Sequence, residues 1–173
     1  MDTQNAPMHI TLWHRNFWNI ALSNLLLTTS VYLFLPVLPL QMSLKGYTAL
    51  QITMCIAAYI AGLYVPGCRV NYFVEKYRRN HVCTYSILSL AVIFAFHYFF
   101  HIHSIILTAV SCLFAGCFFS LAEMVLRSTL IVDTCESSHR TEGNHAVSWL
   151  GRLSLALGPC AGLMIFHFLG FRM

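Results

Sequence analysis

Asn71-Tyr72-Phe73-Val74-Glu75-Lys76-Tyr77-Arg78-Arg79-Asn80 places four of the chain's sixteen acidic and basic residues between two apolar runs long enough to cross a bilayer. A charged segment this short has no room for a domain of its own. It reads as a turn at a membrane surface, with spanning helices on either side. The rest of the chain follows the same pattern. Only 9% of the 173 residues are charged and 58% are hydrophobic, and the mean hydropathy is +0.67. A soluble domain could not keep a wet surface on that composition.

A spanning helix needs about 20 mostly apolar residues. Five runs qualify, at 17–40, 48–67, 81–100, 104–131 and 145–170, so the expected fold is all-α, a polytopic transmembrane helix bundle over 17–170 behind a polar tail at 1–16. The first run is too long for a signal-peptide core and is closed by Leu35-Pro36-Val37-Leu38-Pro39 rather than by a small-residue cleavage site, so it is read as a retained span. Pro36 and Pro39 remove two backbone donors and are expected to bend or end that helix, with Gln41 to Tyr47 as the following turn. Asp133 to Asn144 is expected to be a second polar loop.

Sidedness comes from the basic residues. With the N-terminus cytoplasmic, Arg15, Arg69, Lys76, Arg78, Arg79, Arg127, Arg140 and Arg152 fall on or near the inner side, and only Lys45 and Arg172 fall outside. The expected location is a plasma membrane, of bacterial inner-membrane type, in contact with the lipid bilayer. The seven cysteines lie mainly inside apolar runs without metal-ligand spacing, so neither a disulfide framework nor a zinc site is indicated.

Three segments carry a resemblance. Residues 71–80 resemble the GxLADRxGRR loop between the second and third spans of the major facilitator superfamily, with Phe73, Val74, Glu75, Lys76 and Arg79 matching by type. Asn71 and Arg78 replace its two glycines, Glu75 its aspartate and Asn80 its last basic residue. Asp133 and Arg140 resemble the acid-x6-Arg pattern that closes the fourth span in sugar-porter-like members. Gly151-Arg152-Leu153-Ser154-Leu155-Ala156-Leu157-Gly158-Pro159-Cys160-Ala161-Gly162 resembles the fifth-span antiporter motif, although Cys112 stands where a fourth-span arginine would be.

The resemblance implies the N-terminal half of the major facilitator fold, in which two bundles rock about a midplane site to give alternating access. It makes Glu75, Lys76, Arg78, Arg79, Asp133 and Arg140 a candidate cytoplasmic gate, a solvated loop being the alternative. It makes Gly151, Gly158, Pro159 and Gly162 a strip for close helix contact.

Read without the resemblance, Glu123 and Arg127 have the spacing of a helical ion pair on the fourth span, with Arg152 near the start of the fifth. Charges at that depth face a cavity or a partner. They are candidates for a substrate path or for a structural pair that snorkels. Asn24, Thr28 and Tyr32 recur every four residues on the first span, as a cavity-facing stripe or as interhelical hydrogen-bonding groups. His97, His101 and His103 lack the acid or cysteine that would complete a metal or haem site. No nucleophile elbow, HExxH, phosphate loop or nucleic-acid face is present, so no enzyme activity, metal, cofactor or nucleic-acid partner is expected.

The expected function is that of a secondary-transporter-like protein for a small-molecule substrate. Because five spans make less than one bundle pair, it is expected to be partial or truncated, completed by a second transporter half or a homo-oligomer. The alternative is a small non-transporting membrane subunit that binds another membrane protein.

Overall fold

A computed structural model describes residues 15–68, 77, 79–99, 104–130 and 140–169. Among them there are five α-helices and no strand: α1 (Arg15–Leu44), α2 (Ala49–Tyr64), α3 (Arg79–Phe99), α4 (Ile105–Ser128) and α5 (Arg140–Leu169), with a short 3-10 turn at Pro66–Cys68 after α2. Four of them, α1, α3, α4 and α5, are long and apolar enough to cross a membrane. The chain is an all-helical protein of membrane-embedded type.

The helix α2 has 16 residues, about 24 Å at the rise of an α-helix, and is shorter than the expected run at 48–67. Its apolar rod is lengthened by the 3-10 turn, which continues along α4 until Gly67 faces the Met124 side chain. Its start is fixed by Gln51, whose side-chain oxygen accepts the Thr48 backbone N–H at 3.0 Å.

Two expected boundaries are corrected. Pro36 and Pro39 do not end α1, which runs on to Leu44. Leu38 between them and Met42 beyond them are buried with Cys55 and Cys112, so packing holds the helix across the two missing donors. The stop is Gly46, whose φ of +82° suits glycine and reverses the chain after the last turn. Likewise α5 starts at Arg140 rather than near residue 145, making 140–144 helical. Just after these polar turns, Val147 is buried with Phe17 and Ala21 of α1 and with Leu130. Hydropathy cannot register the added turn, because 140–144 is polar.

Contacts fix the direction of every helix. Along α1 and α5 the registers rise together: Ala21 lies with Val147, Thr28 bonds Ser154 and Tyr32 meets Gly158. These helices are parallel. So are α2 and α4, where Tyr59 meets Gly116 and Leu63 meets Ser120. By contrast α3 runs against α4, with His97 on Ser111 at one end and Leu90 among Ala115 and Phe119 further along. α1 opposes α2, since Leu38 joins Cys55 while Leu27 and Val31 join Tyr59 and Leu63. Successive helices therefore alternate in direction. Arg15, Arg79, Arg127 and Arg140 gather at one end of the bundle, and Lys45 stands at the other.

Glycine sets both parallel crossings. A Cβ at Gly62 would strike the Leu113 carbonyl oxygen of α4, and one at Gly116 would strike the Tyr59 carbonyl oxygen of α2. On the other pair, a Cβ at Gly158 would lie 2.6 Å from that of Tyr32, and one at Gly162 would strike the Leu33 carbonyl oxygen. Close backbone approach is the main source of helix association in lipid, where burial from water contributes little.

Candidate functional site

A groove of about 430 Å³ opens between α1, α2 and α4. Tyr32 and Leu35 come from α1, Ile56, Tyr59, Ile60, Leu63 and Tyr64 from α2, and Phe119, Ser120 and Glu123 from α4. The tight α2–α4 crossing at Gly62 and Gly116 brings these two helices together along one edge of it. Tyr32 meets Phe119 edge to face, ring centroids 6.5 Å apart. Ser120 does not offer its proton to the groove, because its hydroxyl donates to the Leu63 carbonyl at 2.8 Å.

The expected ion pair forms: Arg127 Nη2 lies 2.8 Å from Glu123 Oε1. The glutamate side chain is 22% exposed and the arginine 47%, so the carboxylate sits at the groove edge while the guanidinium reaches outward. The pair therefore marks the end of the groove nearest Arg15 and Arg79. Arg127 also passes beside Gly151, where an added Cβ would come within 3.8 Å of Nη2. Arg152 is not part of the pair. Its guanidinium lies over the Trp149 ring, 5.7 Å from the centroid, at a helix face open to the surroundings.

Toward the Lys45 end, the groove narrows. Leu35, Ile56 and Tyr59 also line an enclosed apolar cavity of about 20 Å³, walled by Val31, Phe34 and Phe94 among others. The Phe34 and Phe94 rings lie 4.6 Å apart. Beyond this neck, Leu38 and His97 are shared with a polar pocket of about 20 Å³ that includes Gln41, Lys45, Tyr47 and Thr108. Each space thus shares lining residues with the next, and the middle one has room for little more than one water. Ser111 Oγ lies 2.7 Å from His97 Nε2 and 2.8 Å from the Thr108 carbonyl oxygen.

The Asn24, Thr28 and Tyr32 stripe is not one surface: its residues divide between the two expected roles of cavity lining and interhelical hydrogen bonding. Only Tyr32 reaches the groove. Thr28 is buried against α5, where its hydroxyl lies 2.7 Å from Ser154 Oγ and also donates to the Asn24 carbonyl at 2.8 Å. Thr29 joins the same serine at 3.2 Å. Asn24 is buried, and its Oδ1 is the buried side-chain acceptor without a partner among the described residues. A row with a repeat of four drifts around a helix of 3.6 residues per turn and is divided between neighbours.

Of the expected packing strip, Gly158 and Gly162 take the α1 backbone while Gly151 faces only the Arg127 side chain. Pro159 lies inside α5, which continues through it. Arg79 opens α3 and Arg140 opens α5 at the same end of the bundle. Glu75, Lys76, Arg78 and Asp133 lie outside the described residues, as do His101 and His103. Among the described residues no group of three histidine, cysteine or acidic side chains is placed to hold a metal.

Sequence reasoning missed Ser154 and the partnership of Gly62 with Gly116. The signal for the second pair was present, since Gly62 belongs to a run of small residues on α2. Its partner lay on a helix whose direction and register no local pattern sets.

The fold and groove define a helical membrane protein with a cleft between parallel-paired helices. No family model matches the chain, and neither a curated protein nor a solved structure matches it.

Proposed function

We propose that this chain is a secondary-transporter bundle of major facilitator type, and that the groove between α1, α2 and α4 is one wall of an alternating-access path for a small molecule. The observation that carries the reading is the exchange relation between the two parallel pairs. In an inverted repeat of three helices plus three, α1 corresponds to α4 and α2 to α5, with directions reversed. The contact α1–α5 must then reappear as α4–α2. Both occur as close pairs, and the correspondence extends to their chemistry. In each, a glycine of α5 or α2 presses on a leucine carbonyl of α1 or α4, Gly162 on Leu33 and Gly62 on Leu113.

The groove supports the same reading. It reaches Glu123 at the arginine-rich end, and toward the other end it shares Leu35, Ile56 and Tyr59 with the much smaller apolar cavity lined by Phe34 and Phe94. Such an arrangement fits a path open to one side at a time. With the arginine-rich end cytoplasmic, as the bias of basic residues favours, this is the inward-open form in a plasma membrane, with the N-terminus inside. The gate residues of the two polar loops, Glu75, Lys76, Arg78, Arg79, Asp133 and Arg140, would then act at the arginine-rich end. The remaining wall of the path is supplied by a second transporter half or a second copy.

The test is flux. Vesicles holding a mixture of metabolites, with the purified chain and any co-purifying membrane partner, should lose particular solutes faster than empty vesicles and with saturation. Equal loss of every solute from both would overturn the proposal. A stable complex with an unrelated membrane protein and no flux would instead support a non-transporting subunit.

A further inference from the structure

We propose that the groove takes a zwitterion with an apolar body, in the first instance a free aromatic α-amino acid; this rests on the transport reading of the same groove. The argument starts from the charges. The groove edge carries one carboxylate and one guanidinium, four residues apart on a single helix and joined by one contact, Arg127 Nη2 to Glu123 Oε1. Among the described residues no other group bonds either side chain. Glu123 keeps a second carboxylate oxygen and Arg127 keeps further N–H donors. An ammonium and a carboxylate borne on one carbon can lie alongside this pair in the opposite sense, ammonium on Glu123 and carboxylate on Arg127. The four charges then alternate around a square, and the existing contact need not break.

A ligand of single charge fits less well. A cation on the second Glu123 oxygen is repelled by Arg127 beside it, and an anion must approach Arg127 past the carboxylate. Apart from Ser120, the rest of the wall is apolar or phenolic, over about 12 Å along α2 from Ile56 to Tyr64 at the helical rise. Tyr32 and Tyr59 line it with hydroxyls that bond no other described residue. Phe119 stands edge-on to Tyr32, a geometry that extends to a further aromatic ring. A volume of about 430 Å³ accommodates an aromatic amino acid. The charged end lies where the bundle gathers its basic residues and the apolar end lies toward the neck, so the ligand enters head outward.

The probe is L-phenylalanine, compared with phenethylamine, which lacks the carboxylate, and 3-phenylpropionate, which lacks the ammonium. Binding is measured by calorimetry on the full chain in phosphatidylcholine nanodiscs, whose lipid offers no primary ammonium. The expected result is binding of phenylalanine at least about tenfold tighter than either analogue, since each analogue loses a hydrogen bond between charged groups. In Arg127→Gln, phenylalanine should lose its advantage over phenethylamine, while phenethylamine, freed of the neighbouring guanidinium, should bind at least as well as before, a pattern that misfolding does not produce.

Phenethylamine binding as tightly as phenylalanine would overturn the inference in favour of a cation site, and absence of binding by all three would overturn it outright. Repeating the titration in phosphatidylethanolamine nanodiscs tests the other source of this chemistry. If that lipid abolishes phenylalanine binding at every concentration tried, the groove is a headgroup site and the amino-acid proposal is wrong. Binding with the expected pattern but no flux across vesicles would keep the zwitterion site and remove the transport reading.

Discussion

Replacing Gly116 by alanine tests the helix pairing on which the fold depends. The new Cβ would lie 3.2 Å from both the Cα and the carbonyl carbon of Gly62 and still closer to the Tyr59 carbonyl oxygen. Carbon atoms prefer separations of about 3.5–4.0 Å, and the atoms met here belong to a backbone that has no rotamer to change. The two helices must part along their length. Overpacking of this kind costs about 1–3 kcal/mol, offset by the roughly 0.8–1.0 kcal/mol that alanine gains over glycine in a helix.

The new Cβ meets backbone atoms, so the upper part of that range applies and the net expectation is a loss of up to about 2 kcal/mol, a fall in Tm of up to roughly 8 °C for a chain of this size. Thermal unfolding in detergent, followed by tryptophan fluorescence, reads it. Gly151→Ala is the control, because its Cβ would meet only Arg127 Nη2 at 3.8 Å. It should keep the helix gain and lose nothing. The double variant Gly62→Ala with Gly116→Ala should cost less than the two single losses added, since both act at one crossing and the first has already opened it. If Gly116→Ala and Gly151→Ala shift the transition equally and in the same direction, the α2–α4 pairing described here is wrong.

Other consequences can be checked with the same unfolding assay. Asn24→Leu removes a buried acceptor with no described partner and should raise stability by about 1 kcal/mol, the lower part of the cost of an unsatisfied group; a loss would mean that Asn24 holds a partner. Ser154→Ala should cost only about 0.6 kcal/mol, because Thr28 keeps its own bond to the Asn24 carbonyl, whereas Ser154→Leu at this fully buried position should separate α1 from α5 and cost several times more. Glu123→Gln should change stability by less than about 0.5 kcal/mol, given how exposed its arginine partner is, so a large loss would point to a structural role. Phe94→Ala should widen the neck, and an impermeant thiol reagent added at the Lys45 end should then reach a cysteine placed at Leu35; unchanged protection would show that the neck is not the barrier.

How much of this was legible in the sequence differs by feature. Long helices are written in long apolar runs: the five described helices lie close to the five expected runs, and four of them are long and apolar enough to cross a membrane. Their ends were less visible. α1 outran Pro36 and Pro39 because Leu38 and Met42 are held by α2 and α4, and the early start of α5 was hidden because residues 140–144 are polar. The Glu123–Arg127 pair was legible because both residues sit on one helix, where spacing alone sets the geometry. The groove was not legible, because Tyr32, Tyr59 and Glu123 come from three helices whose mutual register depends on glycine crossings. Asn24 and Thr28 share a spacing with Tyr32 but not a neighbour, and only packing separates them.

The most direct test of the central claim is whether the groove is wet. In a chain whose native cysteines are replaced by serine or alanine, a cysteine at Ile60 lies in the groove, and one at Leu88 lies on the exposed outer face of α3. In intact cells and in inverted membrane vesicles, membrane-impermeant maleimide should label the Ile60 position, fastest from the arginine-rich end, and leave the Leu88 position unlabelled. A path for solute requires that difference. Equal protection of both positions from both sides would mean that lipid fills the groove, and would contradict the transporter account.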